Sequence, residues 1–459
     1  MRRVSFLMAF LITGYILGIW NFLILPKYYI TFGLKGFLIS LVPSIVAIFI
    51  IYSEAESTKR TRYLIHELLF KVARIPALTF VLLMFLMIIL GITTYYASYG
   101  LTLMLGLSGS YTPVVAVATI LLVMLLLVMA KGHTLEFISV VSILFVLFAI
   151  AAVFLVREQA LTTVTSEQAL HYMHEAVSSI TSFSQPLSLK GILYLLISTF
   201  VSFGLGAGVY YVIGSFTPED LNLKKVLAGV FILQIILSFA AAFTVAYSIG
   251  VAHEAVQRAF HSPNISAEET IQLSILFGDL KAYTTNSTQS PIHSINVFYA
   301  IPQVLHGNVH GDVTLIVLLM LSLYLAGLTT IIVLMEMGNQ MLSEVVQIGR
   351  TQSLGFVSLF GMVVSGAMAI KDIRVMFLVV PFAVGALVAA AEAYPLLSSE
   401  LAYSKAGVWV SVIILLGTGL LTLYYAFTSP SAAVKVGALL GLVLFVPLTM
   451  NGMLLKSRR

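Results

Sequence analysis

Of the chain's 459 residues, 60% are hydrophobic, 9% are charged and none is cysteine. A soluble domain carries roughly 25% charged residues, so a water-soluble fold is excluded, and the absence of cysteine excludes disulfides and thiolate metal sites. The net charge of +5 fits membrane topology better than nucleic-acid binding.

Apolar runs close to or beyond the ~20 residues a spanning helix needs predict twelve helices. In chain order they cover roughly 5–25, 35–54, 78–106, 113–131, 135–156, 189–215, 223–252, 312–345, 353–371, 374–397, 406–428 and 432–454. The start Met1-Arg2-Arg3 leads straight into the first span, with no small-residue cleavage site of a signal peptide. An even number of spans places both termini on one side. Arg2, Arg3, Lys59, Arg60, Arg62, Lys71, Arg74, Lys131, Lys224, Lys225, Arg350, Lys405, Lys456, Arg458 and Arg459 share that side, against nine of the 24 Lys and Arg on the other, which predicts cytoplasmic termini in a multi-pass protein of the plasma (inner) membrane. Four parts result: 1–156 with the first five spans, 157–188 as an extracellular segment, 189–397 with spans six to ten, and 398–459 with the last two. The charged stretch 55–77 reads as an interfacial helix. The long outer segment 253–311 carries helical apolar spacing at Ala267–Gly278 and Ser294–His306 and reads as a lid.

Two spans are interrupted. Gly14-Tyr15-Ile16-Leu17-Gly18-Ile19-Trp20-Asn21 in the first, and Ser202-Phe203-Gly204-Leu205-Gly206-Ala207-Gly208 in the sixth, weaken the helix where no water can satisfy freed backbone groups. Paired breaks of this kind point to a transporter site at mid-membrane. The eighth span carries Ala326-Gly327-Leu328-Thr329-Thr330, whose adjacent hydroxyls suit a dehydrated Na⁺, although small residues and Thr also serve helix packing. Glu54 and Glu392 lie near span ends and read as snorkelling or structural. Glu336 could titrate if desolvated. Tyr95-Tyr96 offers a phenol to a carboxylate, or ordinary packing. His171 with His174, and His306 with His310, have no obvious third ligand, so a metal is not expected. No phosphate-binding loop, nucleophile elbow or catalytic carboxylate pair is present, so the chain does not read as an enzyme.

Together these segments resemble the neurotransmitter:sodium symporter family. The patches that carry the resemblance are Gly14 to Pro26, Gly204 to Gly208, Ala326 to Thr330 with Glu336 six residues on, and Asn296–Leu305 with its Ile301-Pro302 pair. The resemblance implies an all-α membrane fold in which five spans are repeated inverted by the next five. Helices one and six are discontinuous, and two C-terminal helices follow. It implies one sodium site from the carbonyls of Gly14, Leu17 and Ala326 with the hydroxyls of Thr329 and Thr330. A second would use the Ile16 carbonyl, the Asn21 side chain, Ser202 and Gln234, where Gln stands in place of the family's Asn. Ser238 sits where some relatives associate a serine with chloride; the matching tyrosine of the second helix is not evident, so chloride is not assigned.

The implied substrate pocket takes Gly18, Ile19, Trp20, Ile92, Tyr96, Val201, Gly204, Ala207, Thr330 and Leu334. Tyr96 and the amides of Ile19 and Trp20 would face the substrate carboxylate. Gly18 replaces the aspartate of monoamine carriers, which favours an amino acid. Small residues at Val201, Gly204 and Ala207 suggest room for a bulky hydrophobic or aromatic side chain. Three departures stand out. The outer gate's Arg is Ile24 and its Asp falls near Phe377; Trp20 replaces a glycine; Tyr15 replaces an asparagine. The implied function is Na⁺-coupled amino-acid import. The alternatives are a proton-coupled carrier of the same fold using Glu336, or a non-transporting sensor on this scaffold. Which amino acid is carried, how many ions travel with it and whether a homodimer forms are left open by these residues.

Overall fold

The computed structural model describes residues 3–129, 133–262, 265–398, 401 and 404–456. Arg2, Lys131, Arg458 and Arg459, counted above for topology, lie outside them. Every regular element among the described residues is helical. The helices that matter here are α1 (Arg3–Ile16), α2 (Trp20–Leu23), α3 (Pro26–Thr31), α4 (Leu34–Thr61), α5 (Ile65–Lys71), α6 (Ala77–Met104), α7 (Thr112–Met129), α8 (Thr134–Thr163), α9 (Glu167–Thr181), α10 (Leu189–Ser202), α11 (Val209–Phe216) and α12 (Leu223–His261). They continue with α13 (Ala267–Thr285), α14 (Pro291–Phe298), α15 (Ile301–Leu305), α16 (Asp312–Val346), α17 (Arg350–Ala367), α18 (Lys371–Ala393), α19 (Lys405–Phe427), α20 (Ala432–Val443) and α21 (Asn451–Lys456).

Among the described residues, ten helical stretches are long and apolar enough to cross a membrane. They form a multi-pass membrane protein. The expected sixth span is split into α10 and α11, and the expected ninth is the shorter α17. The expected last span is also broken: α20 stops at Val443, and a 3-10 turn at Val446–Met450, begun by Pro447, precedes α21.

The interior follows from sequence. Nearly all of α6 is inside, with 89% of its most apolar window buried, whereas the C-terminal stretch Ala432–Leu455 is 22% buried. Small residues let the central helices approach closely: a Cβ on Gly327 of α16 would lie 2.4 Å from Ala97 Cβ on α6. Helix α1 packs against α8, α12 and α16. On α7 and α19 the apolar side chains Leu121, Leu122, Leu125, Ile413 and Leu420 face outward, which a hydrocarbon solvent requires and water would penalise.

The charged stretch 55–77 differs from expectation. Helix α4 runs on to Thr61, so only α5 stands apart as a short helix. Glu54, Ala55, Ser57 and Thr58 are buried in this extension, so it is held by packing against α11, not by a membrane surface. The long segment after α12 contains α13, α14 and α15, with the second of the expected lid helices broken at Tyr299-Ala300 ahead of Pro302. Arg3 pairs with Glu136, and Ser5 donates to Asp220 at 2.7 Å, so the ends of α1, α8 and the α11–α12 connection share one face.

Candidate functional site

The two breaks face each other across the core. Between α1 and α2 the chain is irregular over Leu17, Gly18 and Ile19, and Gly18 is required there for space: a Cβ would lie 2.3 Å from Thr330 Oγ1. Between α10 and α11 three glycines, Gly204, Gly206 and Gly208, have φ of +67°, +93° and +71°. Side chains rarely adopt these values, so the break is encoded in the glycines themselves.

Beside the first break, Thr329 Oγ1 donates to the carbonyl of Gly14 at 3.0 Å and of Ala326 at 2.9 Å, while Thr330 Oγ1 donates to Ala326 O at 3.1 Å. Both threonines are buried. Four of the five residues expected at the first sodium site are thus joined by hydrogen bonds. Leu17 lies in the break itself, where carbonyls lack helical partners. The donor set is neutral oxygen throughout, which fits a small alkali ion taken from water. Sequence reasoning missed Ser142 of α8. Its hydroxyl is buried, has no hydrogen-bond partner among the described residues, and lies 2.4 Å from where a Cβ on Gly14 would sit. A lone serine in an apolar span gave no signal for this.

The second expected site is also assembled, in a self-bonded form. Asn21 Nδ2 donates to Ile16 O at 2.5 Å, and Gln234 Nε2 donates to Asn21 Oδ1 at 2.8 Å and Ser202 Oγ at 3.3 Å. Gln234 Oε1 is buried without a hydrogen-bond partner among the described residues. The longer glutamine arm therefore spans from α12 to both breaks. One turn on, Ser238 Oγ is likewise buried without a partner among the described residues.

Between the breaks lies a cavity of about 20 Å³, walled by Tyr15, Trp20, Phe85, Ile89, Val201, Ser202, Gly204, Leu205, Ala207, Thr330 and Pro381. That volume holds about one water molecule. The room expected from the small residues of the sixth span is taken by rings from other helices. A Cβ on Gly204 would lie 2.6 Å from Tyr15 Oη, and one on Gly206 3.0 Å from Phe85 Cε1. Of the residues expected at the substrate pocket, Trp20, Val201, Gly204, Ala207 and Thr330 line this cavity, whereas Gly18, Ile19, Ile92, Tyr96 and Leu334 do not. Trp20 Nε1 donates to Thr93 at 3.2 Å, which fixes the indole. Tyr96 turns toward the lid: its hydroxyl donates to Asn296 Oδ1 at 3.4 Å, and Tyr299 of the lid stacks on its ring and donates to its carbonyl at 2.7 Å.

Ile24 is buried and Phe377 partly so. One turn from each stands a cation with neutral partners. Arg374 Nη1 donates to Tyr95 Oη at 2.9 Å. Lys27, beyond the first apolar span, is fully buried and donates to Gln289 O and Oε1, each at 3.1 Å, and to Ser294 Oγ at 2.9 Å. Lys27 thus pins α3 to the segment leading into α14.

Three oxygen acceptors favour the ammonium of Lys27, but burial pushes its pKa down from 10.5 to about 7. Between these values the unfolded chain binds the proton and the folded chain does not, so stability rises with pH; below about 7 both bind it and the burial penalty is full. Wild-type protein in detergent is expected to gain melting temperature relative to Lys27→Met on going from pH 7 to pH ~9.5. Parallel curves for the two proteins would refute this.

Glu336 is paired with Arg350 at 2.9 Å and accepts from Gln340 Nε2 at 3.0 Å. Glu54 and Glu392 do not snorkel; both are fully buried. Glu392 accepts from the amides of Gly206 and Gly208, and its carbonyl accepts from Tyr211 Oη at 2.9 Å. No group of three or more His, Asp or Glu that could hold a metal occurs among the described residues. His306 bonds Asp312 at 3.1 Å instead.

No protein-family model matches the chain, and no curated protein matches it.

Proposed function

We propose that the chain is a sodium-coupled secondary transporter that imports an amino acid by alternating access. In this reading it has twelve spans, cytoplasmic termini and the inverted-repeat architecture of the neurotransmitter:sodium symporters it resembles. One observation carries the reading: Thr329, Gly14 and Ala326 bring hydroxyl and carbonyl oxygens together at a break in one helix, opposite a second broken helix. Neutral oxygens at such a break suit Na⁺, and the first turn of α2, where Ile19 and Trp20 carry amides without intrahelical acceptors, suits a carboxylate. Attraction between the two ligands in a dry site couples their binding.

The 20 Å³ cavity corresponds to a closed state. Admitting an amino acid requires the lid segment to leave Tyr96, and Trp20 or Phe85 to move. Purified protein screened by thermal shift with the twenty amino acids is expected to respond to one class, with stabilisation that grows with Na⁺ and not with K⁺. A response identical in both cations would overturn sodium coupling, and no response to any amino acid would overturn the substrate.

A further inference from the structure

The sixth-span break is held by a cluster of ionisable side chains that contains no cation. Glu392 reaches it from α18, Tyr15 from α1, and Tyr210 and Tyr211 from α11, each bonded to the break or to a neighbour in the cluster, while Glu54 sits on α4 next to Ala55, which touches Gly214 of α11. Both carboxyl groups are fully buried. No Lys, Arg or His forms an ion pair with either among the described residues.

The two carboxyls are served very differently. Glu392 receives two backbone amides, from Gly206 and Gly208, at the N-terminal end of α11, where the helix field also favours an anion. Neither carboxyl oxygen of Glu54 has a hydrogen-bond partner among the described residues. The three phenols cannot supply one, because each commits its proton to a backbone carbonyl: Tyr15 to Gly204 at 3.2 Å, Tyr210 to Phe203, Tyr211 to Glu392 at 2.9 Å. A buried carboxylate with neither donor nor counter-ion is among the costliest groups a protein can hold, and it is relieved by taking up a proton.

We propose that the Glu54–Glu392 pair is a proton-binding site: one proton resides on Glu54 in this closed arrangement, Glu392 stays ionised on the amides of the break, and the proton is released to water when α11 swings away from α4. The proposal rests on the alternating-access reading for its motion, not for the proton. Glu54 lies where α4 touches α11, a contact so close that a Cβ on Gly214 would fall 2.2 Å from Ala55 O. Moving α11 therefore opens the pair to water. Ionising Glu54 in the closed state would set a second charge beside Glu392, so alkaline pH on that face drives α11 outward.

The test uses full-length protein in lipid nanodiscs. At neutral pH its infrared spectrum is expected to contain a protonated-carboxyl stretch that is absent from E54Q. If E54Q fails to fold, E54D is expected to retain the band at a shifted frequency. The chain has no cysteine, so Ser215→Cys at the end of α11 reports exposure cleanly. Its labelling rate, divided by that of the same cysteine in E54Q, is expected to rise about tenfold per pH unit through the titration of Glu54. Absence of the band, a band unchanged in E54Q or E54D, or a pH-independent ratio would overturn the proposal. The infrared band involves neither transport nor sodium, so failure of the transporter reading and failure of this one remain distinguishable.

Discussion

Replacing Thr329 and Thr330 together by valine is expected to raise the Na⁺ concentration for half-maximal substrate binding at least about thirtyfold. Valine keeps the shape of threonine and removes only the hydroxyl. Both hydroxyls sit within about 3 Å of the Ala326 carbonyl, and that of Thr329 also reaches Gly14 O. Each lost oxygen ligand is worth about 1 kcal/mol or more, and two such losses multiply to roughly thirtyfold in an apparent affinity. Without sodium the variant loses only the hydrogen bonds from the two hydroxyls to these carbonyls. Its melting temperature in K⁺ should fall by what those hydrogen bonds are worth, about 1 kcal/mol each, while the extra stabilisation by Na⁺ disappears. Titration of ligand binding against Na⁺ at fixed ionic strength separates the two effects. An unchanged Na⁺ dependence would remove the ion from Thr329 and Thr330 and leave those residues as packing groups.

The breaks and the threonine pair were legible because each depends on local residue types. Glycines at 204, 206 and 208 mark positive φ, and Ala326-Gly327 marks close approach, whatever surrounds them. The pocket was not legible in the same way. That Gly204 is small reads as spare room only until Tyr15, distant in sequence, is found filling it. Complementarity between facing helices has no local signature. The same holds for Lys27, which follows Pro26 and reads as an ordinary flank until the lid wraps it. For Glu54 and Glu392 the snorkelling alternative fails for a related reason, while the structural hydrogen bond holds for Glu392. Proximity to a span end normally lets a carboxylate reach water, but here α4 continues past Glu54, and α18 delivers Glu392 to amides that exist only because the sixth span is broken.

That last contact sets the second large effect. Glu392→Gln is expected to destabilise the protein by about 3 kcal/mol or more and to abolish ligand-induced stabilisation. The wild-type carboxylate offers one oxygen to Gly206 N–H and the other to Gly208 N–H. Glutamine offers one oxygen and one NH₂ group, so one of the two amides meets a donor where it had an acceptor. A buried amide left in that state bears its full desolvation cost. Charge is lost at the start of α11 as well, where the helix favours an anion. Glu392→Asp restores charge but is shorter by a methylene, and the two amides flank a fixed turn of three positive-φ glycines that cannot follow it; partial recovery only is expected. Thermal unfolding of wild type and both variants, with and without Na⁺ and ligand, reads the order wild type above Asp above Gln. Gln equal to wild type would mean that the break is held by its glycines alone and that the carboxylate only occupies space.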